Sequence, residues 1–263
     1  MDLGISGRPA LVAASSRGLG KACALSLAAE GARVAICGRD ERMLNATRDE
    51  IADATGAEVV AIPADVGTEE GAVGFVRRAA EALGGCEILV TSSGGPRPGR
   101  FDELTDEDFR AAVDLLLLSA IRMTREALPS MREAGYGRVV IIGSFGMKQP
   151  IPGLMLSNAI RGAVAGWAKT LAGEVAPDGI TVNAVLPLSV STDRIRELQE
   201  DRAARSGQTV EEVAAQEAAA VPVGRMGEPR DVGDLVAYLA SERASFLTGC
   251  FIPVDGGRYA GLL

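Results

Sequence analysis

The stretch Ala10-Leu11-Val12-Ala13-Ala14-Ser15-Ser16-Arg17-Gly18-Leu19-Gly20 decides the architecture. Its first five residues are short and uniformly apolar, the pattern of a strand buried on both faces, and an Ala- and Leu-rich segment of helical length follows the glycines. A strand that runs through a glycine-containing turn into a helix gathers free N–H groups and the positive end of a helix dipole at one point, where a pyrophosphate can rest. Glycine lets the backbone approach that phosphate with no Cβ in the way. Ala14 stands where the first glycine of such a loop is expected, so the turn departs from the common pattern at its opening.

Working outward, further short β-rich runs recur at residues 34–37, 59–62, 88–90, 139–142 and 180–185, with helix-length segments between them. Strand and helix alternating in this way imply right-handed crossovers, hence an α/β, Rossmann-type, doubly wound parallel sheet in a single domain spanning residues 1–263. One helix is predicted over 105–131, opened by Asp106, Glu107 and Asp108, with Phe109, Val113, Leu116, Ala120 and Leu128 at helical spacing. A second begins near Ser157 and carries the stripe Ile160, Val164, Trp167, Leu171, Val175 until Pro177 and Gly179 stop it. Residues 192–227 differ. They are charged and Ala-rich, and Thr209-Val210-Glu211-Glu212 is a capping-box pattern, so this segment is expected to be a helical insertion standing apart from the sheet as a substrate lid.

Composition narrows the function. Hydrophobic residues make up 47% and aromatic residues 4%, which leaves a core of Ala, Val, Leu and Ile. The formal net charge is -8 with no cluster of Lys or Arg, which argues against nucleic acid as a partner. No apolar run is long enough to span a bilayer and the N-terminus has no signal-peptide pattern, so no membrane or targeting segment is expected. Cys23, Cys37, Cys86 and Cys250 are scattered without C-x-x-C spacing and read as small buried hydrophobes in a reducing, cytoplasmic setting. The chain contains no histidine, which removes the commonest general base and the commonest metal ligand together, so no metal site is expected.

Residues 11–20, Asp65-Val66, 88–94, 137–144, 182–187, 222–229, Thr248-Gly249 and Val254-Asp255-Gly256-Gly257 together resemble the short-chain dehydrogenase/reductase family, close to its 3-oxoacyl-[acyl carrier protein] reductase branch. The resemblance implies an NAD(P)-dependent oxidoreductase, a homodimer or homotetramer, with a small-molecule carbonyl or alcohol substrate. Carried over residue by residue, it implies that Ser15, Ser16, Arg17, Gly18, Leu19 and Gly20 form the phosphate loop and that Asp65 and Val66 contact the adenine. Ser93 and Gly94 would then line the cofactor cleft, and Pro187 and Thr192 would hold the nicotinamide end. Leu188 replaces the glycine usual after Pro187. At the tip of the second strand, an NAD site would place a carboxylate for the ribose 2′-OH, whereas this chain has Gly38-Arg39. Arg17 and Arg39 are suited to clamp a 2′-phosphate, so NADP(H) is expected in preference to NAD(H).

The same alignment brings Leu116, Ser144, Ser157 and Arg161 to the positions of the family's Asn, Ser, Tyr and Lys. An alkyl hydroxyl is far less acidic than a phenol of pKa about 10, and a guanidinium stays protonated, so Ser157 and Arg161 do not exchange protons as the Tyr and Lys pair does. Arg161 suits binding of ribose hydroxyls or stabilisation of an oxyanion. Tyr136, Tyr238 and Tyr259 are no obvious substitutes, although Tyr259 belongs to a C-terminal tail that could reach a neighbouring site. Arg97, Lys148 and Arg194, on loops after sheet strands, suggest an anionic substrate or are ordinary solvated charges. Three functions remain open: an NADP(H)-dependent oxidoreductase with a non-standard site, a non-redox lyase, dehydratase or aldolase on the same scaffold, and a non-catalytic cofactor-binding homologue.

Overall fold

The computed structural model describes residues 1–262, and over them the chain alternates strand and helix as the apolar periodicity requires. β1 (Pro9–Val12), α1 (Gly18–Ala29), β2 (Arg33–Gly38), α2 (Glu41–Thr55), β3 (Val59–Pro63) and α3 (Glu69–Leu83) form the first half. β4 (Ile88–Thr91), α4 (Asp106–Val113), α5 (Ser119–Ala134), β5 (Gly137–Ile142), α6 (Met155–Val175) and β6 (Ile180–Pro187) continue it. The chain closes through α7 (Asp193–Ser206), α8 (Val210–Ala219), α9 (Pro229–Leu239) and β7 (Phe251–Val254).

All strands run parallel in the order β3-β2-β1-β4-β5-β6-β7. The winding reverses between β1 and β4, so a crevice opens at the carboxyl ends of these two strands. β1, β4 and β5 are buried along their whole length, which explains their uninterrupted apolar runs. One face of the sheet packs Leu11, Leu89, Val139 and Val182 against Phe75, Met123 and Val164. The other packs Val12, Ile36, Val90 and Val140 against Leu27, Leu44 and Val236.

One sequence expectation is refined and one strand was missed. The helix predicted over 105–131 runs without a break from Asp106 to Ala134, α4 and α5 being joined in one αR backbone by a π turn at Asp114–Leu118. The extra residue of a π turn shifts the apolar stripe around the helix axis. Before it, Ala112 joins Leu116, Leu156 and Ile160 in a small separate cluster, whereas after it Met123, Ala127 and Met131 enter the main core. β7 was not expected at all; it pairs with β6 at the sheet edge, where Pro253 can sit without a donor being missed.

Residues 192–227 contain α7 and α8, and Thr209 caps α8 in the anticipated box, accepting from the Glu212 N–H while Glu212 accepts from the Thr209 N–H. The buried cysteines are inert: burial pushes the thiols of Cys23 and Cys37 up to about 12 and that of Cys86 in the same direction. Among the described residues no helix is long and apolar enough to cross a membrane, and no cluster of potential metal ligands is found.

Candidate active site

β1 delivers the chain into a left-handed turn: Ala14 has φ 47° and Gly18 has φ 59°. Ala14 therefore takes the backbone conformation that glycine adopts without strain. α1 starts at Gly18 behind an extended Arg17 whose side chain makes no capping hydrogen bond, so the N–H groups of its first turn are left for a ligand. Gly20 allows the loop to close, since a Cβ there would lie 2.4 Å from the Ala14 carbonyl oxygen and 2.8 Å from Ser15 Cα. These groups face a cavity of about 550 Å³ that runs along the carboxyl ends of the strands.

At one end of the cavity, Ser16, Arg17, Gly38, Arg39, Ala64, Asp65 and Val66 form the wall. The tip of β2 lies against the loop, for a Cβ on Gly38 would stand 3.0 Å from Ser16 Cβ. Arg39 is exposed, and Arg17 reaches across the mouth to Asp193 at 3.3 Å. Ser15 is the exception among the loop residues. Its hydroxyl donates to the Val12 carbonyl at 2.6 Å and accepts from the Cys37 N–H, and its own N–H donates to the Cys37 carbonyl. It is fully buried and braces β1 to β2 instead of lining the cavity.

The other end is built from the ends of β4, β5 and β6. Ser93 and Gly94, Ser144, and Pro187 with Thr192 line it, joined by Ser157 and Arg161 from α6. Ser144 Oγ accepts from the Gly146 N–H at 3.2 Å, which leaves its own hydrogen free to donate. Arg161 is buried beneath, and its Nη1 donates to the Ile142 carbonyl at 2.8 Å. Burial lowers its pKa to about 10, so it remains a cation at neutral pH. Leu116 lines a small void together with Arg161.

No tyrosine lines the cavity among the described residues. Tyr136 is at the opposite end of the sheet, its hydroxyl donating to the Ala240 carbonyl and its ring held between Arg8 and Arg138. Tyr238 lies on α9 and is 36% exposed. Tyr259 packs edge-on against Phe145, just beyond Ser144, with ring centroids 5.6 Å apart.

Two of the three cationic residues considered for an anionic substrate, Arg97 and Arg194, line the cavity, and each already has partners within the chain. Arg97 lines the mouth but donates to the Glu103 carbonyl and pairs with Asp108. Arg194 also lines it, donating to the Pro96 carbonyl at 2.6 Å and pairing with Glu197. Lys148 is not a lining residue and stands 5.8 Å from the Tyr259 ring centroid. Residues that sequence reasoning missed are Ile151 and Leu154 before α6, and Ile195, Leu198, Arg202 and Glu217 on α7 and α8. The only sequence signal for the latter four was their place in a helical insertion.

A parallel sheet with an uncapped helix N-terminus at its switch point defines a dinucleotide-binding α/β protein. The family model described as "Enoyl-(Acyl carrier protein) reductase" matches residues 13–258. The 2,3-dihydroxy-2,3-dihydro-p-cumate dehydrogenase of Pseudomonas putida is 34% identical over 259 residues, covering 97% of this chain and 95% of its own. The 3-oxoacyl-[acyl-carrier-protein] reductase of Escherichia coli is 32% identical over 257 residues, covering 98% and 99%. Among solved structures, the L-sorbose reductase from Gluconobacter frateurii complexed with NADPH and L-sorbose superposes with a TM-score of 0.94 at 30% identity, covering 100% of both chains. An actinorhodin polyketide ketoreductase with NADPH gives a TM-score of 0.92 at 34% identity, covering 97% and 98%. The chain belongs to the short-chain dehydrogenase/reductase family, whose relatives here are named dehydrogenases and reductases.

Proposed function

We propose that the chain is an NADP(H)-dependent oxidoreductase that interconverts a carbonyl and an alcohol without the tyrosine and lysine usual in its family. The observation that carries this reading is one continuous cavity joining the open N-terminus of α1, the Arg17 and Arg39 pair, and the Ser144, Ser157 and Arg161 group. The NADPH in similar structures supports the choice of cofactor.

In this reading Ser16, Gly18, Leu19 and Gly20 hold the pyrophosphate, Arg17 and Arg39 the 2′-phosphate, and Asp65 and Val66 the adenine. Ser93, Gly94, Pro187 and Thr192 frame the nicotinamide half. When bound there, the cofactor would supply the hydride for the substrate carbonyl carbon. Ser144 and Ser157 donate hydrogen bonds to the substrate oxygen, and the Arg161 charge stabilises the negative charge that develops there. The proton that completes the alcohol comes from water or from the substrate, because neither serine is acidic enough to give it up. α7 and α8 form the lid, tied shut by the Arg194 bond to Pro96 and the Arg205–Glu103 pair. A reducing, cytoplasmic setting and a homodimer or homotetramer complete the proposal.

Fluorescence titration with NADPH and NADH, on the unaltered chain and on Arg39→Asp, tests the cofactor assignment. NADPH affinity is expected to fall about tenfold or more while NADH affinity changes little, since only the former carries the extra phosphate. Equal losses would reject the clamp. Absorbance assays with ketones and 3-oxoacyl thioesters test the chemistry: slow, saturable NADPH oxidation is expected, and tight binding with no turnover on any carbonyl would reject it.

A further inference from the structure

Among the described residues, no carboxylate neutralises the charge that Arg161 carries. The residue is 9% exposed, Nη1 has the Ile142 carbonyl as its partner, and Nε has none. Desolvation is the cause of its lowered pKa, with no opposing acidic neighbour. The guanidinium is also pinned: Thr91 and Ser93 at the end of β4, Ile141 and Ile142 at the end of β5, and Leu116 and Ser119 around the π turn line a small void with it. Buried there, it gives up most of its hydration with no counter-charge to replace it.

Its position gives that charge a consequence. In a doubly wound sheet the two nucleotide halves lie on either side of the switch point, here between β1 and β4. Arg39 and Asp65 lie on the β2–β3 side, which leaves the β4–β6 side, and with it Arg161, to the nicotinamide half. The oxidised nicotinamide ring is a cation and the reduced ring is neutral. All other charges are common to the two forms of the cofactor.

We infer that Arg161 makes the site selective for the reduced cofactor, weakening NADP+ relative to NADPH by charge repulsion at the nicotinamide half. This rests on the dinucleotide reading above. At an effective dielectric of about 20, two like charges within about 10 Å of one another reduce affinity by roughly tenfold or more. Such a site takes up NADPH and discharges NADP+ readily, which suits carbonyl reduction with rapid cofactor exchange.

Isothermal titration calorimetry of NADPH and NADP+ at neutral pH, without substrate, tests this on the unaltered chain, Arg161→Lys and Arg161→Met. The unaltered chain and Arg161→Lys are expected to prefer NADPH by about tenfold or more. Arg161→Met is expected to bring the two affinities close together, chiefly by tightening NADP+. Arg161→Gln, which can still donate to Ile142, serves as a second neutral variant should the methionine chain fail to fold. Equal affinities in the unaltered chain, or an undiminished preference in a folded neutral variant, would overturn the inference and leave the NADP(H) assignment standing. Binding of neither dinucleotide to the unaltered chain would overturn both.

Discussion

In Arg161→Met an apolar side chain of similar reach replaces a buried cation, and the two competing terms can be weighed. Burial brings the guanidinium well below its ordinary value, to about 10, which corresponds to roughly 3 kcal/mol against the charged form. Against this, the substitution removes the 2.8 Å bond to the Ile142 carbonyl and leaves that oxygen short of a donor, a loss of roughly 1–2 kcal/mol. The variant should therefore be more stable at neutral pH by about 1–2 kcal/mol, or roughly 2–4 °C in Tm for a chain of this size. Because the folded-state pKa lies below the unfolded value, the penalty is complete at pH well below about 10 and fades only as pH rises above that toward the ordinary guanidinium value. The gain should accordingly be the same at about pH 6 and about pH 9. Urea titrations followed by circular dichroism measure it. A variant less stable than the unaltered chain by 1 kcal/mol or more would show that Arg161 is compensated and would refute the reasoning.

Gly20→Ala should disable the phosphate loop, since its Cβ would lie 2.4 Å from a backbone oxygen that cannot yield without moving β1; loss of NADPH binding by titration with retained circular dichroism is expected, and unchanged affinity would contradict it. Ala14→Gly should relieve a left-handed strain of about 1–2 kcal/mol, partly offset by about 0.4–1 kcal/mol of unfolded-chain entropy. A small net stabilisation in thermal unfolding is expected, and clear destabilisation would argue against the φ of 47°. Ser157→Tyr combined with Arg161→Lys should raise carbonyl reduction in the absorbance assay by supplying an acid of pKa about 10; no gain would count against the proposed reaction centre.

The first six strands were legible because a strand buried on both faces leaves a short, unbroken apolar run, as in Leu11-Val12 and Val139-Val140. β7 was not, because Pro253 in an edge position breaks that signature. The π turn lies in Asp114-Leu115-Leu116-Leu117-Leu118, where apolar residues point in every direction and periodicity cannot register one added residue. The loop glycines announced themselves, but the inward turn of Ser15 depends on the neighbouring strand, since Cys37 supplies its partners. Likewise the engagement of Arg97 and Arg194 with Glu103 and Pro96 is a product of loop closure, invisible in one dimension. The cavity-lining residues Ile195, Leu198, Arg202 and Glu217 sit on helices whose inner face is defined only by where the helices land.

A crystal structure with NADPH bound tests the central claim most directly. The account predicts phosphate oxygens of the adenosine half between Arg17 and Arg39, and Ser144, Ser157 and Arg161 as the polar side chains nearest the reactive ring carbon. A tyrosine hydroxyl or lysine ammonium poised over that carbon, or a dinucleotide excluded from the cavity, would contradict it.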